Sequence, residues 1–326
     1  MNRIDEDIKN SAFSNLYLLY GQEDYLRVFY RDKLKHALLT EEDQMNYAYF
    51  EGKELQVGEV QSIANTMPFF SEHRVVIVEN SGLLKTQSDM SEFIATMPDT
   101  TILIFVEAEI DKRSKLYKAI QKQGVVVECN GLQENDLKRW VYVILKKNEK
   151  KMTEANIMYL IEKVGADMNN LLNELDKLIA YAEKEEIITK EMIDDICVAQ
   201  VEGKIFQMID AISTKNQEQA MYLYHDLLAL REKPMSVLFL LVRHFNILLQ
   251  VKEMVRLGTP NGQIASTCGV PPFAVKKYIA QSKNFKTSHI KKCIESCMDV
   301  EYNIKTGLLL DQIGVELLLV SFSSIT

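Results

Sequence analysis

The apolar run Leu16-Tyr17-Leu18-Leu19-Tyr20 ends in Gly21, and a helix-like segment starts a few residues later. In a nucleotide-binding domain this is where phosphates are held. Backbone amides of a glycine-rich loop surround them, a Lys reaches the β and γ oxygens, and a Ser or Thr ligates magnesium. Here the chain reads Gly21-Gln22-Glu23-Asp24-Tyr25-Leu26, with no second Gly, no Lys-Ser or Lys-Thr pair, and two acids where the triphosphate charge would fall. After the later run Val75-Val76-Ile77-Val78 an ATPase would offer an acidic pair for magnesium and water, but Glu79 is followed by Asn80-Ser81-Gly82. Nucleotide hydrolysis is therefore not expected of this chain.

The remaining reactive side chains form no catalytic set. His36, His73, His225, His244 and His289 are scattered without metal spacing, and no Ser or Cys stands on a nucleophile elbow. Cys293 and Cys297 lie one helical turn apart, but no His or further Cys completes a tetrahedral set, so they read as core or surface thiols. No catalytic, cofactor-binding or metal-ligating residue is expected.

Three segments carry binding chemistry instead. Thr66-Met67-Pro68-Phe69-Phe70-Ser71 puts a Met and two adjacent Phe into a connection that should be polar and solvated. The knot is either a core plug or a surface made to be covered by a partner. Pro68 is expected to stop the preceding helix near Met67 and to present Phe69 and Phe70 as a fixed wedge, with His73 and Arg74 as rim residues. Asp111-Lys112-Arg113-Ser114-Lys115-Leu116-Tyr117-Lys118 is either a solvated, capped helix start or an electrostatic contact for a neighbouring subunit. The segment 263–279 has helix-turn-helix spacing: Ala265, Gly269 four residues on, Val270, then Val275. A DNA reader places polar side chains at the start of its second helix, where this chain has Pro272, Phe273 and Ala274. A structural helical hairpin is the reading that fits, with a DNA-binding regulator as the alternative.

The elements that must position these residues follow from periodicity. Strands are expected at 16–20, 47–50, 75–78, 102–106 and 125–127, and helices at 25–39, 57–66, around 90–95 and around 115–121. Continuous rather than alternating apolar strands, separated by helices, predict a parallel sheet covered on both faces. After Cys129 only helical periodicity continues, punctuated by Gly165, Gly203 and the stretch 214–217. The expected fold class is thus α/β plus all-α: an α/β domain at 1–140, a small helical domain at 141–213 and a helical bundle at 214–326.

A chain of 326 residues, 47% hydrophobic and 26% charged, can build such cores. Its formal charge of −8 argues against gripping nucleic acid alone, because counterion release needs clustered Lys and Arg facing phosphate. No run reaches the ~18 unbroken apolar residues of a membrane span. Met1-Asn2-Arg3-Ile4-Asp5-Glu6-Asp7 is too polar for a signal peptide, and five cysteines without disulfide-like spacing suit a reducing compartment. A cytoplasmic protein with no membrane partner is expected.

Over nearly its whole length the chain resembles the delta-subunit family of the bacterial DNA polymerase III clamp loader. The marks are Leu18-Leu19-Tyr20-Gly21 with Glu23, Phe69-Phe70-Ser71 before Arg74-Val75-Val76, and Asp111-Lys112-Arg113 with Lys115-Leu116-Tyr117-Lys118. They continue with Gly165-Ala166-Asp167-Met168 leading to Leu172, Glu174-Leu175 and Lys177-Leu178. Arg243-His244-Phe245, Pro272-Phe273 with Lys276, and Lys305-Thr306-Gly307 complete the series.

The resemblance implies an AAA+-like α/β module without a phosphate loop, a helical lid and a C-terminal collar. It also implies a hetero-pentameric ring with the gamma/tau ATPase subunits and delta-prime, meeting primer-template DNA at the replisome. This non-catalytic subunit of the DNA polymerase III holoenzyme would bind the β sliding clamp and favour its open form. The family's clamp-contacting pair falls on Phe69 and Phe70, flanked by Met67, Pro68 and Ser71, and the aromatic at the first position stands where many relatives have an aliphatic residue. Asp111, Lys112, Arg113 and Lys115 would contact a subunit or DNA.

Overall fold

The computed structural model describes residues 2–40, 43–86, 89–197 and 201–324; the side chains of Asn2, Asp43, Glu202 and Phe273 lie outside the described set. The chain divides into two units, one of residues 1–131 with 167–169, the other of residues 132–166 with 170–326.

In the first unit, strands β1 (Leu16–Tyr20), β2 (Tyr47–Glu51), β3 (Arg74–Glu79), β4 (Thr101–Glu107) and β5 (Val125–Glu128) form one parallel sheet in the order β2-β3-β4-β1-β5. The three central strands β1, β3 and β4 are buried at every position, which is why they read as unbroken apolar runs. The edge strands β2 and β5 are only partly covered. Helices α1 (Asn2–Asn10), α2 (Asp24–Leu38), α3 (Val57–Ala64), α4 (Met90–Phe93) and α5 (Lys115–Gln123) complete the unit. Leu18, Val76, Leu103 and Phe105 share a core with Val60 and Ala64 of α3 and Leu116 and Ile120 of α5. The alternate residues Tyr17, Leu19, Ile77 and Ile104 point to the opposite face, where α2 packs on β1 and β4. Each such fully buried aliphatic side chain contributes roughly 1.5–3 kcal/mol.

The expected strands and helices are present, β1 with both ends as expected and the rest with ends displaced by at most three residues. Helix α1 was not expected, because its residues are almost all polar. It is held by Ile4, which is fully buried, by an Arg3–Asp7 ion pair at 3.0 Å, and by Tyr17 Oη–H donating to Asp7 Oδ2 at 2.9 Å.

Among its described residues the second unit has only helices as regular elements, apart from an isolated parallel bridge between Lys151 and Ile187. Its helices are α6 (Glu134–Lys147), α7 (Glu154–Val164), α8 (Met168–Ala182), α9 (Lys190–Ile196), α10 (Val201–Ser213), α11 (Gln217–Ala229), α12 (Pro234–Arg256), α13 (Asn261–Cys268), α14 (Val275–Lys283), α15 (Thr287–Lys305) and α16 (Asp311–Ser324). Helix α12 runs 23 residues and is long and apolar enough to cross a membrane. Its apolar face is instead the centre of a core: Leu238, Leu241, Phe245 and Leu248 pack with residues of α10, α11, α15 and α16. Cys293 and Cys297 are both in this core, where burial pushes each thiol up to about 12 and leaves it inert.

A buried polar chain crosses that core. His244 Nε2–H donates to Gln281 Oε1, and the Gln281 amide donates to Asp210 Oδ1 at 2.7 Å and to the Phe206 carbonyl at 3.0 Å. Burial pulls the His244 pKa down to about 4. Because the folded value lies below the ordinary one, the unfolded chain binds the proton more readily. The resulting stability is complete above about pH 6.5 and is lost as pH falls toward 4. The melting temperature of wild type should fall more steeply across that window than that of His244→Leu; equal slopes would remove His244 as the titrating group.

Candidate functional site

Helix α3 ends at Ala64 with Asn65 as its C-cap, three residues before the stop expected near Met67. Pro68 bars Met67 from the helical region, but the earlier ending has a second cause. The guanidinium of Arg74, the first residue of β3, donates to the carbonyls of Thr66 (2.8 Å), Met67 (3.3 Å) and Met45 (3.4 Å). Arg74 is buried and is no rim residue; that expectation is corrected, because its charge is spent on three carbonyls facing inward.

A second clamp holds the same loop. Asn46, at the end of the 3₁₀ turn Asp43–Asn46, is only 1% exposed. Its Oδ1 accepts from the Phe69 backbone N–H at 2.6 Å, and its Nδ2 donates to the Phe69 carbonyl at 2.8 Å. Phe69 is thus pinned through both backbone groups while its ring faces solvent at 55% exposure. Phe70 is 94% exposed and adopts φ 51°, a left-handed conformation rare for a bulky aromatic. Such strain, of order 1–3 kcal/mol, persists where surrounding structure over-determines it, and it clusters at functional sites. The two rings pack edge to face with centroids 4.4 Å apart.

Met67 is 71% exposed and Met45 is also exposed, and the backbone carbonyls of both are held by one guanidinium. Pro68 and Ser71 are half-buried. The knot is therefore a surface and not a core plug. Met45 and Asn46 escaped the sequence reading, which placed Arg74 on the rim. Arg74 had a faint signal, an Arg directly before an apolar strand; Asn46 had none, since some twenty residues separate it from the loop it holds.

The Asp111 segment lies elsewhere. In a parallel sheet the loop before β3 is at the amino ends of the strands, whereas the loop after β4 is at their carboxyl ends, so the structure does not bring the two groups together. Ser114 Oγ accepts from the Tyr117 N–H and caps α5. Arg113 pairs with Asp111 at 3.0 Å, and Lys112 pairs with Glu128 at 3.3 Å beneath the Tyr20 ring. Lys115 is exposed. Exposed pairs of this kind contribute little and exchange readily for another partner.

The carboxyl ends of the strands are also where a nucleotide would sit. Glu23 Oε1 accepts from the Tyr25 N–H, closing the start of α2 that would face phosphate, and burial, reinforced by Asp167, raises its pKa. Arg27 donates to the Gly21 carbonyl and to Asp24. Glu79 is held by Arg31 at 2.6 Å and by Tyr49 Oη–H at 3.1 Å. Glu107 accepts from Ser81 and Gly82 N–H groups at 2.9 and 3.1 Å.

In the second unit the helix-turn-helix spacing corresponds to α13, Gly269 in the left-handed region at φ 63°, a 3₁₀ turn Pro272–Ala274, and α14. Ile264, Ala265, Val270 and Val275 pack against Ile247 and Val251 of α12, so the motif spends its apolar residues on internal packing. Lys277 pairs with Glu162 at 2.8 Å. The Phe273 side chain falls outside the described set.

Comparison with known proteins is consistent along the chain. Residues 17–130 match the family described as "DNA polymerase III, delta subunit", and residues 202–322 match its C-terminal domain family. The DNA polymerase III subunit delta of Bacillus subtilis is 25% identical over 96% of this chain and 94% of its own. A probable DNA polymerase III subunit delta of Aquifex aeolicus is 21% identical over 88% and 85%. The solved structure of the Bacillus subtilis DNA clamp loader delta protein superposes with a TM-score of 0.75, covering 99% of both chains at 24% identity, a likeness of fold.

Proposed function

The chain belongs to the delta-subunit family of DNA polymerase III, the clamp-loader delta subunit of DNA replication, and from that premise we propose that Phe69 and Phe70 bind the β sliding clamp and favour its open form. One observation carries this reading: an aromatic pair stands in solvent on a loop pinned from inside, one ring held in a strained backbone conformation. Exposed aromatics on a pre-organised loop have the form of interface anchors, because little entropy remains to be lost on docking. The rings enter an apolar pocket on the clamp, and Met67, Pro68 and Ser71 line the contact. Opening follows only if the wedge binds the open or strained ring more tightly than the closed one, since a ligand shifts an equilibrium by its differential affinity alone. Calorimetric titration of this protein into a purified sliding clamp tests the reading; no heat of binding at tens of micromolar would sink it.

As a loader subunit the chain assembles with other subunits. We assign 141–213 to a lid, 214–326 to a collar, and the ring partners to the gamma/tau ATPases and delta-prime, acting in the cytoplasm on primer-template DNA. Asp111, Lys112, Arg113 and Lys115 are the electrostatic candidates for those contacts. ATP hydrolysis belongs to the other subunits. The internal hydrogen bonds of Glu23, Arg27, Glu79 and Glu107 support this. Millimolar Mg-ATP should leave the melting temperature unchanged within ~0.5 °C, whereas ligand at 100 times its Kd would stabilise by about 2.7 kcal/mol.

A further inference from the structure

Asn46 and Arg74 are both buried, yet between them they make five hydrogen bonds to the backbone of the loop and of the 3₁₀ turn beside it. We infer that these two residues position the wedge: Asn46 locks the Phe69 peptide from both sides, Arg74 fixes the loop's entry at Thr66 and Met67, and together they hold Phe70 in its left-handed turn before any partner arrives. The inference rests on the reading of Phe69 and Phe70 as clamp anchors.

The geometry gives Asn46 a specific partner in Phe69. A side-chain amide that only filled its own hydrogen-bonding capacity could use any nearby groups. This one spends an acceptor and a donor on a single residue 23 positions away, the residue whose ring is the first half of the exposed pair. Without it the Phe69 N–H and carbonyl return to water, the φ of Phe70 loses its constraint, and the rings sample many orientations. The cost then appears as reduced affinity with both aromatic side chains still present, because the ordering that the fold had supplied must be supplied on binding. Arg74 adds the link to the second segment, since one guanidinium ties the Met45 and Met67 carbonyls.

The test compares the full-length chain with Asn46→Ala and Asn46→Asp. A purified sliding clamp is the partner, and affinity, melting temperature and hydrogen exchange at the Phe69 amide are read together. Asn46→Ala should weaken clamp binding about tenfold or more, speed exchange at Phe69, and leave the melting temperature within a few degrees. Asn46→Asp keeps the acceptor for the Phe69 N–H but sets a second oxygen against the Phe69 carbonyl, so only its protonated form restores the donor and its affinity should rise as pH is lowered. In a Phe70→Ala background, where only the Phe69 ring is left to be positioned, the Asn46→Ala loss should shrink. Affinity of Asn46→Ala within twofold of wild type overturns the inference, and so does an undiminished loss in the Phe70→Ala background. If Asn46→Ala melts much earlier, Asn46→Asp decides, and an affinity that does not rise as the acid is protonated, measured against the wild-type pH profile, counts against the inference. The Phe69→Ala, Phe70→Ala variant is measured alongside: if it binds as wild type, the anchor reading itself has failed, an outcome separate from failure of the positioning role.

Discussion

Replacing Phe69 and Phe70 together by alanine is expected to lower the affinity for a sliding clamp by about three orders of magnitude. Each aromatic anchor of an interface contributes on the order of 2 kcal/mol or more when truncated, and 1.4 kcal/mol is a factor of ten. Stability should barely change, because both rings stand in solvent and surface substitutions lie within about 0.5 kcal/mol. The single change Phe70→Gly separates the two effects. It relieves the left-handed conformation at φ 51°, so the melting temperature should rise while clamp binding falls. Opposite signs at one position are the mark of backbone strain maintained for binding. Calorimetry and thermal melts on the same preparations check both, and a double alanine variant that binds within twofold of wild type would remove the Phe pair from the interface.

Gly21→Ala is expected to destabilise the α/β unit by roughly 3–5 kcal/mol, a large share of the stability of a typical domain. Gly21 has φ 139°, and a Cβ there would stand 2.2 Å from the Cys129 carbonyl oxygen and 2.6 Å from its carbon. That carbonyl accepts the Glu23 N–H at 2.9 Å, and the Gly21 N–H donates to the Glu107 carbonyl at 3.2 Å. The added methyl therefore opens the junction of β1, β4 and the chain leaving β5, where the atoms in the way are backbone and cannot rotate aside. Urea unfolding followed by far-ultraviolet dichroism would report it as an early transition of the first unit. A midpoint equal to wild type would mean that the turn has more freedom than its contacts show. The same crowding separates this glycine from one of a phosphate loop: the space beside it is filled by the protein's own peptide.

Much of the architecture was legible in residue order. The runs at 16–20, 75–78 and 102–106 are unbroken because their strands lie at the centre of the sheet with both faces covered, and the helical spacing after Cys129 marked where the sheet ends. Helix α1 was not legible, since it is anchored by one buried Ile and a hydrogen bond to a Tyr that belongs to the sheet. The end of α3 was misplaced because the local signal, Pro68, was overruled by Arg74, whose grip on Thr66 and Met67 is tertiary. The helix-turn-helix spacing was read as a structural hairpin, and its packing against α12 accounts for the apolar residues that produced the pattern.

By itself the sequence determined the class of the fold, the departure from a phosphate loop at Gly21 to Asp24, and the membership of the family, because the succession of strands and helices along the chain, turn chemistry and motif spacing are written in local residue types. Whether Met67, Phe69 and Phe70 were plug or handle was decided only by the tertiary structure. An apolar side chain has the same chemistry in a core as on a surface; what separates the two is whether distant residues cover it or hold its backbone from behind. Asn46 and Arg74 hold the loop's backbone and leave the rings to solvent.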